Sequence, residues 1–521
     1  MSNEQMSEYF EPIDLALAAQ GSYHSWAVAY LSLAARQGHL CVRQRGEIFE
    51  PCWEDLGVET PSKLCSDLLS ESFEKLREEA HPYAQEEKGT WYLPRFFKIE
   101  KGIAENLERL NNHSPAVQID FLSLRDEVAT LVESKKLLPL QGEVILKLVE
   151  HPTVLLTGGP GTGKSYTIRW MIDLLGRHLV GQEKMKIIVT APTGKAAANL
   201  ASSFSKNDRV DIKVSTLHRC LRWIPGSPYR QITLDADLII VDESSMIDAQ
   251  IFHVLLSSIK EGTRLLLAGD PHQLPAVEAG AVFSDLLDRF PRVHLIECQR
   301  AELSSLVKLA EAVYQGNVEE VFHFADFVPL PQKMTRSFQD KIVSLLEHLQ
   351  FDAASTPQDL LNHFKKRMLL TPLREGSLGV ETLNRLCLEM YGSRIVPILI
   401  TRNDNKNGLC NGDLGVLVKK EDELHRGDKA YFSDPSQPGG VKEITAFLLP
   451  RYEVAYALTV HKSQGSEYSD VILLLPPGSE SFGRQVLYTA ITRARRSLVI
   501  YGSEEILKKT LKHAPKRISG L

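Results

Sequence analysis

The sequence predicts an α/β protein built around two parallel β-sheets. From residue 144 onwards, short apolar segments that end in small or acidic residues alternate with helical stretches, as in TVLLTG, KIIVTAP, ADLIIVDE and TRLLLAGD. The same pattern returns in RMLLTPLREG, IVPILITRN, AYALTVHKSQG, DVILLLPP and SLVIYG. Strands at the centre of a parallel sheet are covered on both faces, so they need not alternate polar and apolar residues. We therefore expect two α/β domains, with a boundary within residues 325–360, where the pattern breaks.

Three domains are expected along the chain, because 521 residues exceed what one ordinary core can organise. Residues 1–110 are predicted to be helical, since apolar residues recur at three- and four-residue spacing in LALAAQGSYHSWAVAYLSLAARQG. This region contains no catalytic motif, which favours a docking or scaffold role. Residues 111–335 and 336–521 are assigned to the first and second α/β domains. The Gly-, Asn- and Asp-rich residues 403–451 are assigned to a small β insertion within the second.

Composition and charge place few limits on function. A hydrophobic content of 43% and a net charge of −6 are compatible with nucleic-acid binding, because a basic surface can be local. No segment approaches the roughly 18 apolar residues of a membrane span, and the first residues lack the features of a signal peptide. The seven cysteines are scattered without a CxxC pair, as is typical of a reducing compartment. A cytoplasmic protein with no membrane partner is expected.

A nucleotide-binding loop is the clearest single motif. The segment GGPGTGKS satisfies the pattern G-x-x-x-x-G-K-[ST] between an apolar strand and a helix. Glycines allow backbone N–H groups to surround phosphates, and the helix N-terminus adds a favourable dipole. Lys164 is expected to reach the β- and γ-phosphates of ATP, and the Ser165 hydroxyl to hold Mg²⁺. The residues assigned to the loop are Gly158, Gly159, Pro160, Gly161, Thr162, Gly163, Lys164 and Ser165.

Two further strands are expected to deliver groups that act on the bound nucleotide. LIIVDESS places Asp242 where its carboxylate can join the Mg²⁺ shell. Glu243 follows it, in a position to orient and deprotonate the attacking water. LLLAGDPHQLPAV ends its strand near Asp270 and Gln273, and the Gln273 amide can contact both the γ-phosphate and water.

Hydrolysis also requires positive charge opposite this loop, because charge develops on the phosphates during the reaction. Arg300 in ECQRAE and Arg493 in LYTAITRARRSL both follow strand-like segments and are candidates for this role. An arginine on a helix is more often part of a solvated surface, and the local sequence leaves that alternative open.

The motifs occur together in the order found in superfamily 1 helicases. The nucleotide-binding loop is followed by VTAPTGKAAANL, STLHRCL, VDESSMID, AGDPHQLPAV, ECQR, ALTVHKSQGSEYSDV and LYTAITRARR. Over about residues 141–502 the chain most resembles the RecD type, the alpha chain of exodeoxyribonuclease V. TPLREGSLGVETLN and NGDLGVL also resemble RecD segments, whereas the N-terminal region does so chiefly around WYLPRFFKIE. The resemblance implies RecA-like folds for both parallel-sheet domains and an SH3-like barrel for the β insertion.

The resemblance assigns roles to individual residues. It implies that Gln141 reads the adenine base, that Gln273 senses the γ-phosphate and that Glu467 contacts the nucleotide. It also implies that Arg300 and Arg493 are arginine fingers. The positions that match contacts to single-stranded DNA are Thr193, Lys195, Thr216, His218, Thr459, His461 and Lys462. For this last group, ordinary loop structure is the alternative.

Activity and partners follow from the same resemblance. RecD-type helicases use ATP and Mg²⁺ to move 5′ to 3′ on single-stranded DNA. They act at duplex ends with the beta and gamma chains of exodeoxyribonuclease V, in double-strand break repair and recombination. Nuclease activity is expected only through those partners, because no additional carboxylate cluster is visible after Asp270.

The sequence leaves two alternative functions open and suggests residues by which the N-terminal region could bind a partner. The chain is alternatively a stand-alone RecD-like helicase, or a P-loop ATPase that remodels proteins without moving on DNA. Residues 1–140 show no convincing helix-hairpin-helix signature of the longer stand-alone relatives, which favours the complex subunit. Trp26, Tyr30, Phe49 and Trp53 are residue types that anchor interfaces, although the core of their own domain suits each equally well.

Overall fold

The N-terminal region combines the predicted helices with a small sheet that was not predicted. The computed structural model describes residues 6–20, 25–46, 48–58, 62–181, 183–204, 207–223, 232–297, 304–331, 335–346, 355–404, 406–434, 437 and 440–521. The described helices of this region are α1 (Pro12–Ala18), α2 (Trp26–Arg36) and α3 (Lys63–Glu78). An antiparallel sheet is formed by β1 (Val42–Arg45), β2 (Ile48–Glu50), β3 (Gln85–Glu87) and β4 (Thr90–Tyr92). Strands of three or four residues are too short to show a period-two pattern in the sequence.

The aromatic residues expected to anchor a partner belong to the core of this region. Tyr30 is fully buried, and Phe49 and Trp53 are each only 7% exposed. The Tyr30 hydroxyl donates a hydrogen bond of 2.6 Å to the Pro51 carbonyl oxygen. Trp26 packs, partly buried, against the same cluster. The anchoring role is therefore corrected for Tyr30, Phe49 and Trp53, whose rings stabilise their own fold; for the partly buried Trp26 it stays a prediction.

The first α/β domain contains a six-stranded parallel sheet. Its strands are β5 (Thr153–Gly158), β6 (Met185–Ala191), β7 (Val210–Thr216), β8 (Leu238–Val241), β9 (Arg264–Gly269) and β10 (Arg292–Leu295). They follow the order β10-β5-β9-β8-β6-β7, and each neighbouring pair is parallel. Every residue of β5, β8 and β9 is buried, as predicted from their unbroken apolar runs. The carboxyl ends of the strands share one edge, where open α/β sheets bind their ligands.

Helices cover both faces of this sheet. They are α4 (Pro94–Asn111), α5 (Phe121–Glu133), α6 (Pro139–Glu150), α7 (Lys164–Arg177), α8 (Gly194–Ser203), α9 (Leu217–Cys220), α10 (Ala249–Ser258) and α11 (Val282–Asp285). Side chains of α5, α6 and α7 pack in one buried cluster with alternate residues of the strands. On the other face, Ile103 of α4 and Phe252 of α10 share a cluster with the remaining strand residues. Helix α4 thus belongs to the core of the first α/β domain, although it lies within the range predicted for the N-terminal domain.

The second α/β domain contains the other parallel sheet. The remaining strands are β11 (Asp326–Pro329), β12 (Arg367–Thr371), β13 (Ile395–Ile400), β14 (Leu414–Val418), β15 (Lys429–Ser433), β16 (Val441–Thr445), β17 (Tyr452–Val454), β18 (Ala457–Thr459), β19 (Tyr468–Leu475) and β20 (Ala494–Gly502). The remaining described helices are α12 (Ser304–Gln315), α13 (Val318–Phe324), α14 (Arg336–Ser344), α15 (Pro357–Lys366), α16 (Val380–Tyr391), α17 (Gly483–Ile491) and α18 (Glu504–Lys512). Five strands form a parallel sheet in the order β11-β20-β19-β12-β18. The predicted fold class, with two parallel sheets and a helical N-terminal region, is confirmed.

The chain passes from the first sheet to the second earlier than the break in its sequence pattern. Strand β11 pairs with β20 in the second sheet, and α12 and α13 pack in the core of that domain. These elements lie within the range predicted for the first domain. Because β11 is a short edge strand with no fully buried residue, it lacks the apolar signal of the central strands. In the described part of the chain, no helix is long and apolar enough to cross a membrane.

The β insertion is an antiparallel sheet of five strands in the order β16-β15-β14-β13-β17. Its first strand, β13, was grouped with the parallel strands in the sequence analysis, and that assignment is wrong. IVPILI is buried at five of six positions, because β13 packs against the second α/β domain as well as within the insertion. Its unbroken apolar run therefore looks like that of a central parallel strand. The SH3-like barrel stays a prediction.

Residues 513–521, the C-terminal tail, connect the second α/β domain to the other two regions. Arg517 Nη1 donates to the carbonyl oxygen of Gly280 in the first α/β domain over 2.9 Å. In the N-terminal region, the Leu40 N–H donates to the Ile518 carbonyl oxygen over 2.9 Å. Burial lowers the pKa of Arg517 to about 10, so the guanidinium stays charged at neutral pH. The tail therefore links the second α/β domain by hydrogen bonds to both the first α/β domain and the N-terminal region.

Candidate active site

The cleft between the two parallel sheets encloses a cavity of about 830 Å³. Both α/β domains line it, and most of the predicted nucleotide-site residues meet there although they are far apart in sequence. The predicted residues that line the cavity are Gln141, Gly159, Pro160, Gly161, Gly163, Lys164, Ser165, Asp242, Glu243, Gln273, Glu467 and Arg493. Gly158 ends β5 beneath the loop, and the Thr162 hydroxyl closes the loop by donating to Gly159 O over 2.8 Å.

The nucleotide-binding loop has the tight backbone that its glycines predict. Gly163, the N-cap residue just before α7, has a φ of 90°, which favours glycine. A Cβ atom at this position would lie 2.6 Å from Nε2 of Gln141, so a side chain there would collide. Lys164 Nζ donates to the carbonyl oxygens of Gly158 and Gly159 over 2.6 and 3.2 Å. The ammonium group thus lies across the loop, in reach of whatever oxygen atoms the loop surrounds.

The acidic pair follows β8 directly. Burial is the largest cause of the raised pKa of Asp242; neighbouring Glu243 raises it further, and Lys164 opposes the shift. Glu243 has a φ of 52°, a left-handed conformation that is uncommon for a residue with a side chain and is frequent at functional sites. Its N–H donates to Asp242 Oδ1 over 2.9 Å. Two carboxylates beside a single lysine provide oxygen ligands of the kind that Mg²⁺ prefers.

Two buried glutamines line the cavity. Gln141 Oε1 accepts the Leu138 N–H over 3.0 Å, and its Nε2 donates to the Thr162 carbonyl oxygen over 3.5 Å. Gln141 thereby caps α6 and contacts the nucleotide-binding loop. Gln273 is 4% exposed; its Nε2 donates to Asp270 Oδ2 over 3.1 Å, and its Oε1 has no hydrogen-bond partner within the described residues. A buried acceptor without a donor costs free energy, and a molecule bound in the cavity would be able to supply the donor.

The second α/β domain contributes a buried cation and a carboxylate. Arg493 is 4% exposed, and its guanidinium donates to Ser466 O over 3.2 Å and to Thr492 Oγ1 over 3.0 Å. Glu467 Oε2 accepts a hydrogen bond of 2.6 Å from Arg495 Nε. The bonds to Ser466 and Thr492 hold the guanidinium of Arg493 against its own domain, and Arg493 lines the cavity. Positive charge therefore stands across the cleft from the nucleotide-binding loop.

Two further cations of the second α/β domain reach the same cavity, and one predicted cation lies outside the described residues. Arg300 falls within residues 298–303, so its role as an arginine finger stays a prediction. Lys365 and Arg495, which the sequence analysis did not single out, both line the cavity. Arg495 could have been found, because it lies two residues after Arg493 within the segment LYTAITRARR. Lys365 lies at the end of α15 and carries no comparable signal.

Lys195, which was predicted to contact DNA, lines the nucleotide cavity. Its Nζ donates to Ser466 Oγ in the second α/β domain over 2.9 Å. Burial lowers its pKa to about 8, and the nearby charges of Lys365 and Arg493 contribute. Lys462, by contrast, forms an ion pair of 2.5 Å with a carboxylate of β17 and is about two-fifths exposed. The structure therefore separates two lysines to which the resemblance gave the same role.

The other predicted DNA-contacting residues lie at the carboxyl ends of strands. Thr193, Thr216 and Thr459 follow or end β6, β7 and β18, and each hydroxyl accepts a hydrogen bond from the N–H three residues ahead. Burial lowers the pKa of both His218 and His461, which favours neutral imidazoles at pH 7. The threonine hydroxyls stabilise turns on both α/β domains. Contact of these threonines and histidines with DNA stays a prediction.

Comparison with known proteins agrees with this geometry. The family described as "AAA domain" matches residues 136–327, and the one described as "UvrD-like helicase C-terminal domain" matches residues 454–501. "RecBCD enzyme subunit RecD" of Mycobacterium tuberculosis (strain CDC 1551 / Oshkosh) is 32% identical over 475 residues, which cover 82% of this chain and 79% of that protein. The chain belongs to the RecD family of helicases.

Further relatives extend over most of this RecD-family helicase. "RecBCD enzyme subunit RecD" of Mycolicibacterium smegmatis is 28% identical over 572 residues, covering 99% of this chain and 98% of that one. "ATP-dependent RecD2 DNA helicase" of Deinococcus radiodurans is 31% identical over 438 residues, covering 80% and 56%. Among solved structures, Bacteroides Pif1 bound to single-stranded DNA has a TM-score of 0.42 and 18% identity, covering 71% of this chain and 93% of that one. The predicted RecD-type resemblance is confirmed.

Proposed function

We propose that this RecD-family helicase is an ATP-driven motor that moves 5′ to 3′ on single-stranded DNA within a cytoplasmic exodeoxyribonuclease V complex. In that role it acts at duplex ends during double-strand break repair and recombination. The observation that carries the proposal is the shared cavity, which Lys164 and Glu243 line from one α/β domain and Arg493 from the other. A nucleotide bound there contacts both domains, so that its hydrolysis changes the contacts that hold them together.

The residues of the cavity fit ATP with Mg²⁺. Lys164 now satisfies its ammonium group with two loop carbonyls, which phosphate oxygens can replace with stronger charge-assisted bonds. Ser165 and Asp242 would hold Mg²⁺; burial raises the pKa of Asp242, and a bound cation would stabilise its charged carboxylate. When bound, Mg²⁺ neutralises charge on the phosphates. Gln141 would contact the adenine base and Glu467 another part of the nucleotide.

Hydrolysis follows from the positions of three side chains. Glu243 takes a proton from the attacking water, which makes the water a better nucleophile. Gln273 offers Oε1, which has no partner among the described residues, as an acceptor for the same water. Arg493 stabilises negative charge on the phosphates from across the cleft. Because the guanidinium belongs to the second α/β domain, catalysis requires that domain to be in place, and loss of the γ-phosphate weakens the attraction between the domains.

Single-stranded DNA is proposed to cross both α/β domains along the strand ends that carry Thr193, Thr216, His218, Thr459 and His461, with Lys462 at their edge. These groups are polar and mostly neutral, so they suit backbone contact without reading the sequence of bases. Alternate grip by the two domains during each ATP cycle would move the strand in one direction.

Unwinding of tailed duplexes tests the proposed activity. The purified chain should unwind a duplex with a 5′ single-stranded tail and leave the matched 3′-tailed duplex intact, with ATP turnover raised strongly by single-stranded DNA. Unwinding only from the 3′ tail would reverse the proposed polarity. ATP turnover that single-stranded DNA does not raise would favour the alternative class, an ATPase that remodels proteins.

The N-terminal region is proposed to join this helicase to the beta and gamma chains of exodeoxyribonuclease V. Removing residues 1–93 should abolish co-purification with both chains and leave ATP binding intact. The truncation ends before Pro94 because α4 contributes Ile103 to the core of the first α/β domain. Full-length Lys164→Ala is the matched control: it should assemble normally without ATP turnover.

Full recovery of the complex with the truncated chain would contradict the docking role. An active full-length chain that recovers neither the beta nor the gamma chain would instead favour a stand-alone RecD-like helicase. Because the tail also bonds to Leu40, ATP binding by the truncated chain has to be measured before its failure to assemble is attributed to docking.

A further inference from the structure

We infer that Tyr488, on α17 of the second α/β domain, is a positioning residue that sets the orientation of Gln273 through the carboxylate of Asp270. The inference rests on the proposed ATP hydrolysis and adds a residue to it. Neither the sequence motifs nor the resemblance assigned Tyr488 a role. Its hydroxyl makes Gln273 responsive to the position of the second α/β domain.

The contacts centre on one buried carboxylate. Asp270 has no exposed surface, and its Oδ2 accepts hydrogen bonds from Tyr488 Oη over 3.0 Å and from Gln273 Nε2 over 3.1 Å. Its other oxygen, Oδ1, accepts the N–H of His272 over 3.1 Å. A buried carboxylate is stable only when its oxygens accept hydrogen bonds, and among the described donors the Tyr488 hydroxyl comes from the other domain.

This arrangement determines which atom of the Gln273 amide faces the cavity. A carboxylate attracts the amide NH₂ group and repels the amide oxygen, so Nε2 turns towards Asp270. Oε1 is then the free end, and it is buried without a partner within the described residues. An acceptor at this place suits a water molecule, which can donate one hydrogen to Oε1 and the other to Glu243. Loss of negative charge at Asp270 would remove the preference for this orientation.

Tyr488 is not an isolated contact between the domains. Next to it, Thr489 Oγ1 accepts the Leu274 N–H over 2.8 Å, and Gln464 Nε2 donates to the Leu274 carbonyl oxygen over 2.9 Å. A Cβ atom on Gly159 would lie 3.3 Å from Tyr488 Oη, so the hydroxyl also borders the nucleotide-binding loop. The segment that carries the sensor is thus held by the second α/β domain at each end. A rotation of that domain away from the first must lengthen the bond from Tyr488 to Asp270.

The test is Tyr488→Phe, which removes the hydroxyl and keeps the ring. We expect basal ATP turnover without DNA to fall about tenfold, the scale expected for loss of one hydrogen bond to a buried charge. The KM for ATP should change by less than about twofold, because no contact with the nucleotide is removed. Tyr456→Phe is the matched control: it removes a buried hydroxyl that donates to Ile395 O over 3.1 Å, and it should leave turnover unchanged.

A double-mutant cycle separates positioning from a general structural effect. In a Gln273→Ala background, Tyr488→Phe should produce no further loss of turnover, because the residue through which it acts is gone. An undiminished tenfold loss in that background overturns the inference, as does normal turnover in the single variant. If Tyr488→Phe raises the KM and lowers the thermal unfolding midpoint without a change in kcat, the hydroxyl is structural and the inference fails. A wild-type chain that does not hydrolyse ATP contradicts the proposed function itself, whereas an active wild type with an unaffected Tyr488→Phe contradicts this inference alone.

Discussion

Glu243→Gln is expected to bind ATP normally and to lose turnover by about 10²- to 10⁴-fold, the contribution typical of a general base. The amide keeps the size of the side chain and can still accept a hydrogen bond from water, but it cannot take up the proton. Relief of the carboxylate repulsion with Asp242 should leave binding of MgATP equal or slightly stronger. The variant should therefore accumulate in the ATP-bound form, with the two α/β domains held together and DNA retained.

Single-turnover hydrolysis and binding of a fluorescent ATP analogue provide the two measurements. Glu150→Gln is the matched control, because Glu150 is exposed at the end of α6 and away from the cavity lining. Lys164→Ala supplies the contrast: it should lose turnover through weakened ATP binding, since the ammonium group that clamps the phosphates is removed. Normal hydrolysis by Glu243→Gln would show that another group activates the water.

Arg493→Ala is expected to reduce DNA-stimulated ATP turnover by about 10³-fold or more, as loss of an arginine finger does. The guanidinium is buried, lines the cavity and donates to Ser466 and Thr492, so these bonds already orient it. ATP affinity should change much less, because the nucleotide-binding loop belongs to the first α/β domain. The loss should therefore appear in kcat.

Steady-state turnover at saturating single-stranded DNA measures this effect. Arg385→Ala is the control, since Arg385 is exposed and pairs with Glu389 on the surface of α16. Arg300→Ala is expected to behave like Arg493→Ala, on the strength of the family resemblance. Unchanged turnover in the Arg493 variant would show that this arginine only stabilises its own domain and does not act on the phosphates.

The parallel sheets were predictable because burial on both faces leaves a local signature. Strands such as β5 and β9 are buried along their whole length and mainly apolar; β5 leads into the nucleotide-binding loop, and Asp270 directly follows β9. The same signature misled at β13, which is buried for a different reason, by packing an antiparallel sheet against a neighbouring domain. Strands β1 to β4 and β11 were missed because three or four residues, partly exposed, carry no period that distinguishes them from a loop.

Residues of the candidate site were predictable where a single sequence motif indicates both the residue and its chemical role. Lys164, Asp242 and Glu243 come from such motifs, and the structure places all three at one cavity. The contributions of Lys195 and Tyr488 were not predictable, because each depends on which side chain of the other domain it meets. That pairing is a property of the docked domains, and no spacing along the chain encodes it.

The C-terminal tail has a consequence for how the proposed motor would share mechanical load while it moves on DNA. The tail leaves the second α/β domain and is bonded to Gly280 in the first and to Leu40 in the N-terminal region. Any swing of the second domain therefore has to stretch these bonds or drag the N-terminal region with it. If a larger assembly holds the N-terminal region in place, that region cannot follow the second domain. The tail would then resist opening and closing of the cleft elastically. The stiffness of the tail would then limit how far the motor can advance against an opposing force before it stalls.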